Sequence, residues 1–170
     1  MAALPALYDA VWRAGQAYGI RDFGLYAMDS LRVDKCYRGW KSDLESGYTP
    51  LEASLDRFVD VNKADFIGKA ALVAEHARGA AQRFVPLIFD DDADAEAPYC
   101  AQVFDGDTNV GLTTSGVWSH TLKKSVALAY VSAAKAVPGT KLQVNVLGQM
   151  RSATVHAEPL YDPKNEKLRA

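Results

Sequence analysis

Apolar side chains recur at steps of three and four from Leu4 through Leu7, Tyr8, Val11, Trp12 and Gly15 to Tyr18, with Pro5 near the start and Gly19 just past the end. That spacing gathers them on one face and predicts an amphipathic helix over about residues 4–18. From Asp22 to about Arg32, Phe23, Ala27 and Leu31 keep a four-residue step, which predicts a short helix running into an extended segment at Tyr37 to Trp40. Along "TPLEASLDRFVDV" the pattern turns to alternation: Leu55, Arg57, Val59 and Val61 against Ser54, Asp56, Phe58 and Asp60. It predicts a strand entered through a Thr49-Pro50 turn. Asp65 then offers an N-cap to "FIGKAALVAEHAR", and Gly79 closes that helix.

After Gly79 the texture changes. "RFVPLIFD", "YCAQVFD", "NVGLTTSGVWS", "KKSVALAYVS", "KLQVNVL" and "MRSATVHAEPLY" are short β-branched or alternating runs, divided by the turn pairs Asp105-Gly106, Pro138-Gly139 and Gly148-Gln149. About six strands in roughly 85 residues predict a small antiparallel barrel or sandwich. The expected fold class is therefore α+β: an incomplete helix-and-sheet lobe over residues 1–79, followed by a small antiparallel β-barrel over residues 80–170.

With 170 residues and 49% hydrophobic side chains, the chain can bury a core. The 19 basic and 21 acidic residues argue against wholesale binding to nucleic acid or an anionic membrane, so any anionic ligand must be met locally. Cys36 and Cys100 lie far apart, without a C-x-x-C pair or a histidine at zinc spacing, so no structural metal is expected and a reducing, cytoplasmic or matrix, setting is the default. We take the cytoplasm as the expectation. "MAALPALYDAVW" lacks the cationic flank of a signal peptide, and no apolar run approaches the ~20 residues that span a bilayer.

Several clusters invite chemistry. The acidic run Asp90 to Glu96 begins like a calcium loop, but Ala95 stands at the turn-glycine position and Ala101 where the bidentate glutamate belongs. A solvated hairpin loop is the expectation. His76, His120 and His156 are isolated from one another, and Ser115, Ser119 and His120 read as turn chemistry rather than a hydrolase pair. The segment "DSLRVDKCYRGW" is more pointed, because Arg32 sits between Leu31 and Val33, two residues that favour an interior. Arg32 can serve in a structural ion pair with Asp29, Asp34 or Glu52, or its planar fork can hold a carboxylate or the edge of a polar heterocycle. Trp40 adds a flat apolar face along the same segment, either for such a ligand or as core filler.

At these residues the chain resembles a known family. The "DSLR" with an acid two positions on, the "TPLEA-L" segment, "DFIGK-AL" and the later "GLTTSGVWSHTLKKSVALAYV" are similar to the second half of the aminomethyltransferases, the glycine cleavage T-protein family. "YRGW" and "EPLYDPKNEKLR" lean towards relatives fused to flavin oxidoreductases, the dimethylglycine and sarcosine dehydrogenases, and towards related sulfonium demethylases. The resemblance implies tetrahydrofolate as cofactor and one-carbon transfer from a small methylated amine or sulfonium. Arg32 matches the arginine that contacts folate or substrate, and Trp40 stands where many relatives have tyrosine. Asp34 replaces the usual glutamate, Cys36 the usual glycine and Lys41 a common glycine. The family's catalytic aspartate and its "GYTGE" folate-binding glutamate belong to a first half without counterpart in these residues. The resemblance therefore implies that these residues alone are inactive and that their partner is a missing N-terminal half or a fused oxidoreductase. Three functions remain open: part of a folate-dependent transferase, a non-catalytic folate-binding or assembly module, and an interaction domain that has lost its ligand.

Overall fold

The structure, a computed structural model, describes residues 3–170. Helix α1 spans Ala3–Gly15 and runs into a 3-10 turn, Gln16–Tyr18, which Gly19 ends at φ 69°. Helix α2 spans Leu25–Asp34 and α3 spans Lys69–Arg78. All six strands follow: β1 (Gln82–Phe89), β2 (Gln102–Asp105), β3 (Thr108–Ser119), β4 (Lys124–Ser132), β5 (Lys141–Val146) and β6 (Gln149–Val155). They form a closed antiparallel barrel in the order β1-β4-β3-β2-β5-β6, with β1 pairing β6 through Leu87 and Val155 to close it. The expected α+β class with a small β-barrel is what the chain adopts.

Period-two patterning explains where the two cores sit. In β4, Ala127, Ala129 and Val131 belong to the barrel interior together with Val85, Leu87, Phe89, Val103, Val144 and Val155. The alternate residues Val126, Leu128 and Tyr130 belong to a second cluster with Val33, Cys36, Ala53, Phe84 and Val117. A strand buried on both faces reads as an unbroken apolar run, as "SVALAYV" does. The second cluster joins α2 to the barrel wall. There Tyr130 stacks on Tyr48 at 3.8 Å between ring centroids and meets Phe84 edge-on at 5.4 Å.

Four expectations need correction. The alternating segment at residues 54–61 is not a strand but consecutive tight turns: Ala53 N–H reaches Thr49 O at 2.9 Å, Leu55 N–H reaches Pro50 O at 2.9 Å, and Asp56–Phe58 is a 3-10 turn. Its polar groups are claimed by β1, since Phe84 N–H donates to Glu52 O at 2.7 Å and Ser54 Oγ donates to Phe84 O at 2.9 Å. Helix α3 begins only at Lys69, after Gly68 at φ 89°, so Asp65 is not its cap. The β5–β6 turn is Leu147-Gly148, with φ 51° and 88°, one residue earlier than expected.

The acidic run is the fourth. It is neither a free loop nor a hairpin, because β1 does not pair with β2. Asp90 is held by Lys141 Nζ at 2.9 Å, Asp91 by Arg151 and Asp92 by Lys124. Arg151 is itself buried, lies 4.6 Å from the Phe89 ring centroid and donates to Ala93 O at 2.9 Å. These residues form a strap that carries Ala95, Ala97 and Ala101 onto the barrel core. Hydrogen bonds from Lys141 and Arg151 hold the Asp90 and Asp91 carboxyls below the usual carboxylate range. Among the described residues no helix is long and apolar enough to cross a membrane.

The helical part is sparsely covered. Helix α1 buries none of its residues, and Leu4, Leu7, Tyr8 and Val11 of its apolar face are exposed, as are Phe23, Leu25, Leu31 and Trp40. Val33 is not part of this open surface; it is fully buried against the barrel. Exposed apolar surface on this scale is atypical of a soluble monomer. The isolated chain is expected to enhance the fluorescence of an apolar dye such as ANS, or to self-associate in analytical ultracentrifugation. A monodisperse monomer with no dye response would show that these side chains find cover in solution.

Candidate functional site

Arg32 leaves the last turn of α2 and meets a buried carboxylate that sequence reasoning did not single out. Its Nε donates to Asp29 Oδ1 at 2.8 Å, Nη1 donates to Asp43 Oδ2 at 2.7 Å and to Tyr37 O at 3.1 Å, and Nη2 donates to Ser115 Oγ at 3.0 Å. Asp43 is wholly excluded from solvent. Of the three partners expected for Arg32 only Asp29 is one: Asp34 makes no hydrogen bond with it, and Glu52 instead accepts from Thr49 N and Gln82. A guanidinium has five N–H groups, so these bonds leave one free for anything else.

Asp43 is satisfied from three directions. Its Oδ2 also accepts Gly39 N–H at 2.8 Å, which closes the turn after α2. Its Oδ1 accepts Thr114 Oγ1 at 2.5 Å and Ser115 Oγ at 2.7 Å, both from β3. Neighbouring strand residues normally point to opposite faces and could not share one oxygen. They do so here because the β3–β4 register slips between Thr113 and Ser115, a bulge that places Thr114 outside the pairing. The polar triplet "TTS" in an otherwise apolar strand was the available signal for this arrangement. Tyr130 OH completes the node by donating to Asp43 O at 2.8 Å, and burial raises that phenol above its ordinary pKa.

The node floors an open cleft of about 500 Å³, lined on the α2 side by Tyr26, Asp29 and Arg32 and on the barrel side by Tyr99, Trp118 and His120. The strap crosses β3 here. Glu96 Oε1 accepts Trp118 N–H at 3.0 Å, and Gly116 is required because a Cβ there would stand 2.1 Å from Ala97 O. Ser30 Oγ pins α2 to the same strand by donating to Trp118 O at 2.9 Å. The cleft thus offers three flat aromatic faces, one spare guanidinium N–H and carboxylates from Asp29 and Glu96.

The structure separates the two residues singled out from sequence. Arg32 lines the cleft, whereas Trp40 lies outside it on the turn after α2, 71% exposed. Trp118, Tyr26 and Tyr99 provide the aromatic surface instead. Ser115 belongs to the Arg32–Asp43 node, Ser119 Oγ accepts Leu122 N–H at 2.9 Å in the β3–β4 turn, and His120 stands at the cleft without bonding either serine. Burial pushes the Cys36 thiol up to about 12, so it packs as an apolar side chain and is no nucleophile. Among the described residues no group of three His, Cys, Asp or Glu side chains is placed to hold a metal ion.

A helical segment delivering an arginine to a carboxylate after the helix, sealed by a bulged barrel strand, defines a domain class that the comparisons identify. Residues 2–63 match the GCVT N-terminal domain, and residues 82–162 match the glycine cleavage T-protein C-terminal barrel domain. The chain belongs to the glycine cleavage T-protein, or aminomethyltransferase, family. It is 41% identical to human mitochondrial dimethylglycine dehydrogenase over 96% of its length, covering 19% of that protein. It is 35% identical to the aminomethyltransferase of Anoxybacillus flavithermus over 92% of its length, covering 43% of that protein. The fold superimposes on the crystal structure of glycine cleavage system aminomethyltransferase T from Bartonella henselae with a TM-score of 0.83 and 25% identity, covering 95% of this chain and 45% of the other. The chain thus spans less than half the length of the relatives it matches.

Asp43→Asn replaces an acceptor-only group by an amide facing the donors of Arg32, Gly39, Thr114 and Ser115 and leaves Arg32 without its buried counter-charge. Breaking a buried pair from one side costs about 3–5 kcal/mol. Urea denaturation of the variant is expected to show a loss of that size, and a loss under about 1 kcal/mol would mean the node does not hold α2 to the barrel.

Proposed function

We propose that this chain forms one wall of a tetrahydrofolate site in a one-carbon transferase, aminomethyl or methyl, that acts on a methylated amine or sulfonium. The observation that carries the reading is the cleft at Arg32. A pterin is a flat heterocycle with a polar edge, and it fits three aromatic faces beside a guanidinium that Asp29 and Asp43 hold still. The residues present fit folate as ligand holders: Tyr26, Tyr99 and Trp118 for stacking, Asp29 and Glu96 as acceptors and Arg32 as a single donor. Bound folate would supply the acceptor for the one-carbon unit, and this chain would orient it. A reducing compartment, cytoplasmic by our reading, suits the two free cysteines.

A second reading has its own support. The 41% identity to dimethylglycine dehydrogenase across nearly the whole chain favours a non-catalytic folate-binding or assembly module of a multidomain flavin-dependent demethylating dehydrogenase. The two readings share the cleft and differ in what lies beside it. Purified residues 1–170 are expected to form no methylene-tetrahydrofolate, because among the described residues the acids beside Arg32, Asp29 and Glu96, line an open cleft rather than a closed cavity that would shield a reacting amine from water. Turnover comparable to a full-length aminomethyltransferase would defeat that expectation.

Arg32→Lys keeps the charge but cannot reproduce the planar set of bonds to Asp29, Asp43 and Ser115 while also facing the cleft. In a complete protein containing this segment, it is expected to weaken tetrahydrofolate binding by about 1–3 kcal/mol, measured by calorimetric titration. Melting temperature is read on the same pair of proteins. Unchanged folate affinity with a lowered melting temperature would make Arg32 a purely structural residue.

A further inference from the structure

Helix α2 has a second cleft on its other flank. It has a volume of about 430 Å³ and an apolar lining that includes Phe23, Met28, Leu31, Tyr37, Tyr161 and Leu168. Its far wall is built in place. Lys35 donates to Tyr161 O at 3.2 Å, to Asp162 O at 2.7 Å and to Asn165 Oδ1 at 2.7 Å, and Tyr161 N–H donates to Asp34 O at 2.9 Å, which fastens the C-terminal segment to α2. An apolar groove between a helix and a fixed segment is the shape that an amphipathic helix enters, with anchors at i, i+3, i+4 and i+7.

Helix α1 is a helix without such a groove. Leu4, Leu7, Tyr8 and Val11 stand at those spacings on one face, all of them exposed, and no residue of α1 is buried. The rest of the helix is rich in alanine, and its only charges, Asp9 and Arg13, point away from that face. A helix with so little polar surface is normally enclosed. An anionic membrane gains no hold on it, because the two charges cancel and interfacial helices grip lipid through lysine and arginine.

Helix α1 does not fill the cleft of its own chain. None of its residues lines that cleft, and the helix is tied into an elbow: Tyr8 OH donates to Asp22 Oδ2 at 2.7 Å, Ile20 N–H donates to Gly15 O at 3.2 Å, and a Cβ on Gly15 would stand 2.6 Å from Ile20 Cδ1. The elbow ends beside Phe23, itself part of the cleft wall, so swinging α1 into its own cleft would carry that wall away. A second copy meets both needs at once, since its cleft is free and its α1 equally uncovered.

We propose that two copies of this chain pair about a two-fold axis by exchanging α1, each helix lying in the other copy's cleft with Leu4, Leu7 and Val11 against Leu31, Tyr37 and Tyr161. Reciprocity closes the assembly at two and covers both apolar surfaces on both chains. The area suffices. The exposed apolar side chains of the α1 face and the cleft, at roughly 100 Å² each, present about 800 Å² per chain, which is what each partner gives to a stable interface of standard size. The cleft that would hold folate lies on the opposite flank of α2, so the dimer stands or falls independently of folate binding.

The test is sedimentation equilibrium on the full chain without folate, with the circular dichroism of each variant read alongside to show that it folds. The expected result is a closed dimer at roughly 10 μM. Leu7→Glu on α1 and Leu31→Lys in the cleft charge the two sides of one contact, and each should weaken association at least tenfold. Both side chains are exposed in the single copy, so neither change should unfold it. Leu168→Glu repeats the cleft arm on the C-terminal segment. An equimolar mixture of Leu7→Glu and Leu31→Lys sets opposite charges across one contact and leaves the other native, so it should dimerise better than either variant alone. Leu147→Glu, at an exposed apolar position on the β5–β6 turn, should change nothing. A chain that stays monomeric overturns the proposal and leaves the cleft to a different polypeptide. It is equally overturned if both cleft variants associate like the parent, which would mean that α1 pairs face to face with its copy, if Leu147→Glu weakens association as much as Leu7→Glu, or if the mass grows beyond two chains.

Discussion

The ion pair between Arg32 and Asp43 is the constraint on which the junction of helices and barrel depends. Asp43 has no exposed surface, so its charge is tolerable only if every lone pair is met by a donor held at the right distance. Those donors come from three unrelated stretches: the end of α2, the glycine turn at Gly39 and the bulged strand β3. Each is thereby fixed relative to the others. A carboxylate buried this way does little for stability compared with an apolar replacement, but it specifies one arrangement and penalises near misses.

Several local oddities become intelligible from that node. The β3 bulge interrupts an otherwise regular ladder, and it brings Thr114 and Ser115 together onto one oxygen. Gly116 follows at once because the strap carrying Ala97 passes too close for any side chain. The strap in turn spends Asp90, Asp91 and Asp92 on Lys141, Arg151 and Lys124, so a run that looks like surplus charge is a set of fastenings. Helix α2, held by Arg32 and Ser30 on one side and by the C-terminal segment through Lys35 on the other, presents a different cleft on each flank. One is aromatic and polar; the other is apolar.

How far this could be read from the chain differs by element. The six strands were legible because their alternation is enforced by burial on one or both faces, and turn residues with positive φ, such as Gly106 and Gly139, mark their ends. Residues 54–61 misled because apolar alternation also arises where successive turns drop every second side chain onto a neighbouring surface. Here Leu51 and Ala53 just before the segment are buried while Phe58 is exposed, and the backbone N–H groups of Leu55, Phe58 and Val59 close local turns rather than a partner strand's ladder. Arg32 was legible as a residue in need of a partner, but sequence proximity offered both Asp29, which accepts from it, and Asp34, whose carboxylate has no hydrogen-bond partner among the described residues.

The sequence by itself determined the helices, the six strands of the barrel and the family, since all three follow from local periodicity, turn chemistry and short motifs that a linear pattern contains. It also marked Arg32 as the residue to explain. Only the tertiary structure decided that Asp43 and not Asp34 answers Arg32, that Trp118 and not Trp40 lines the cleft, and that Asp34 stands alone. These are matters of which atoms meet across residue separations such as the 83 between Arg32 and Ser115. Such meetings depend on the closure of the barrel and on a one-residue bulge in β3, and a shift by a single residue turns a side chain from one face of a strand to the other.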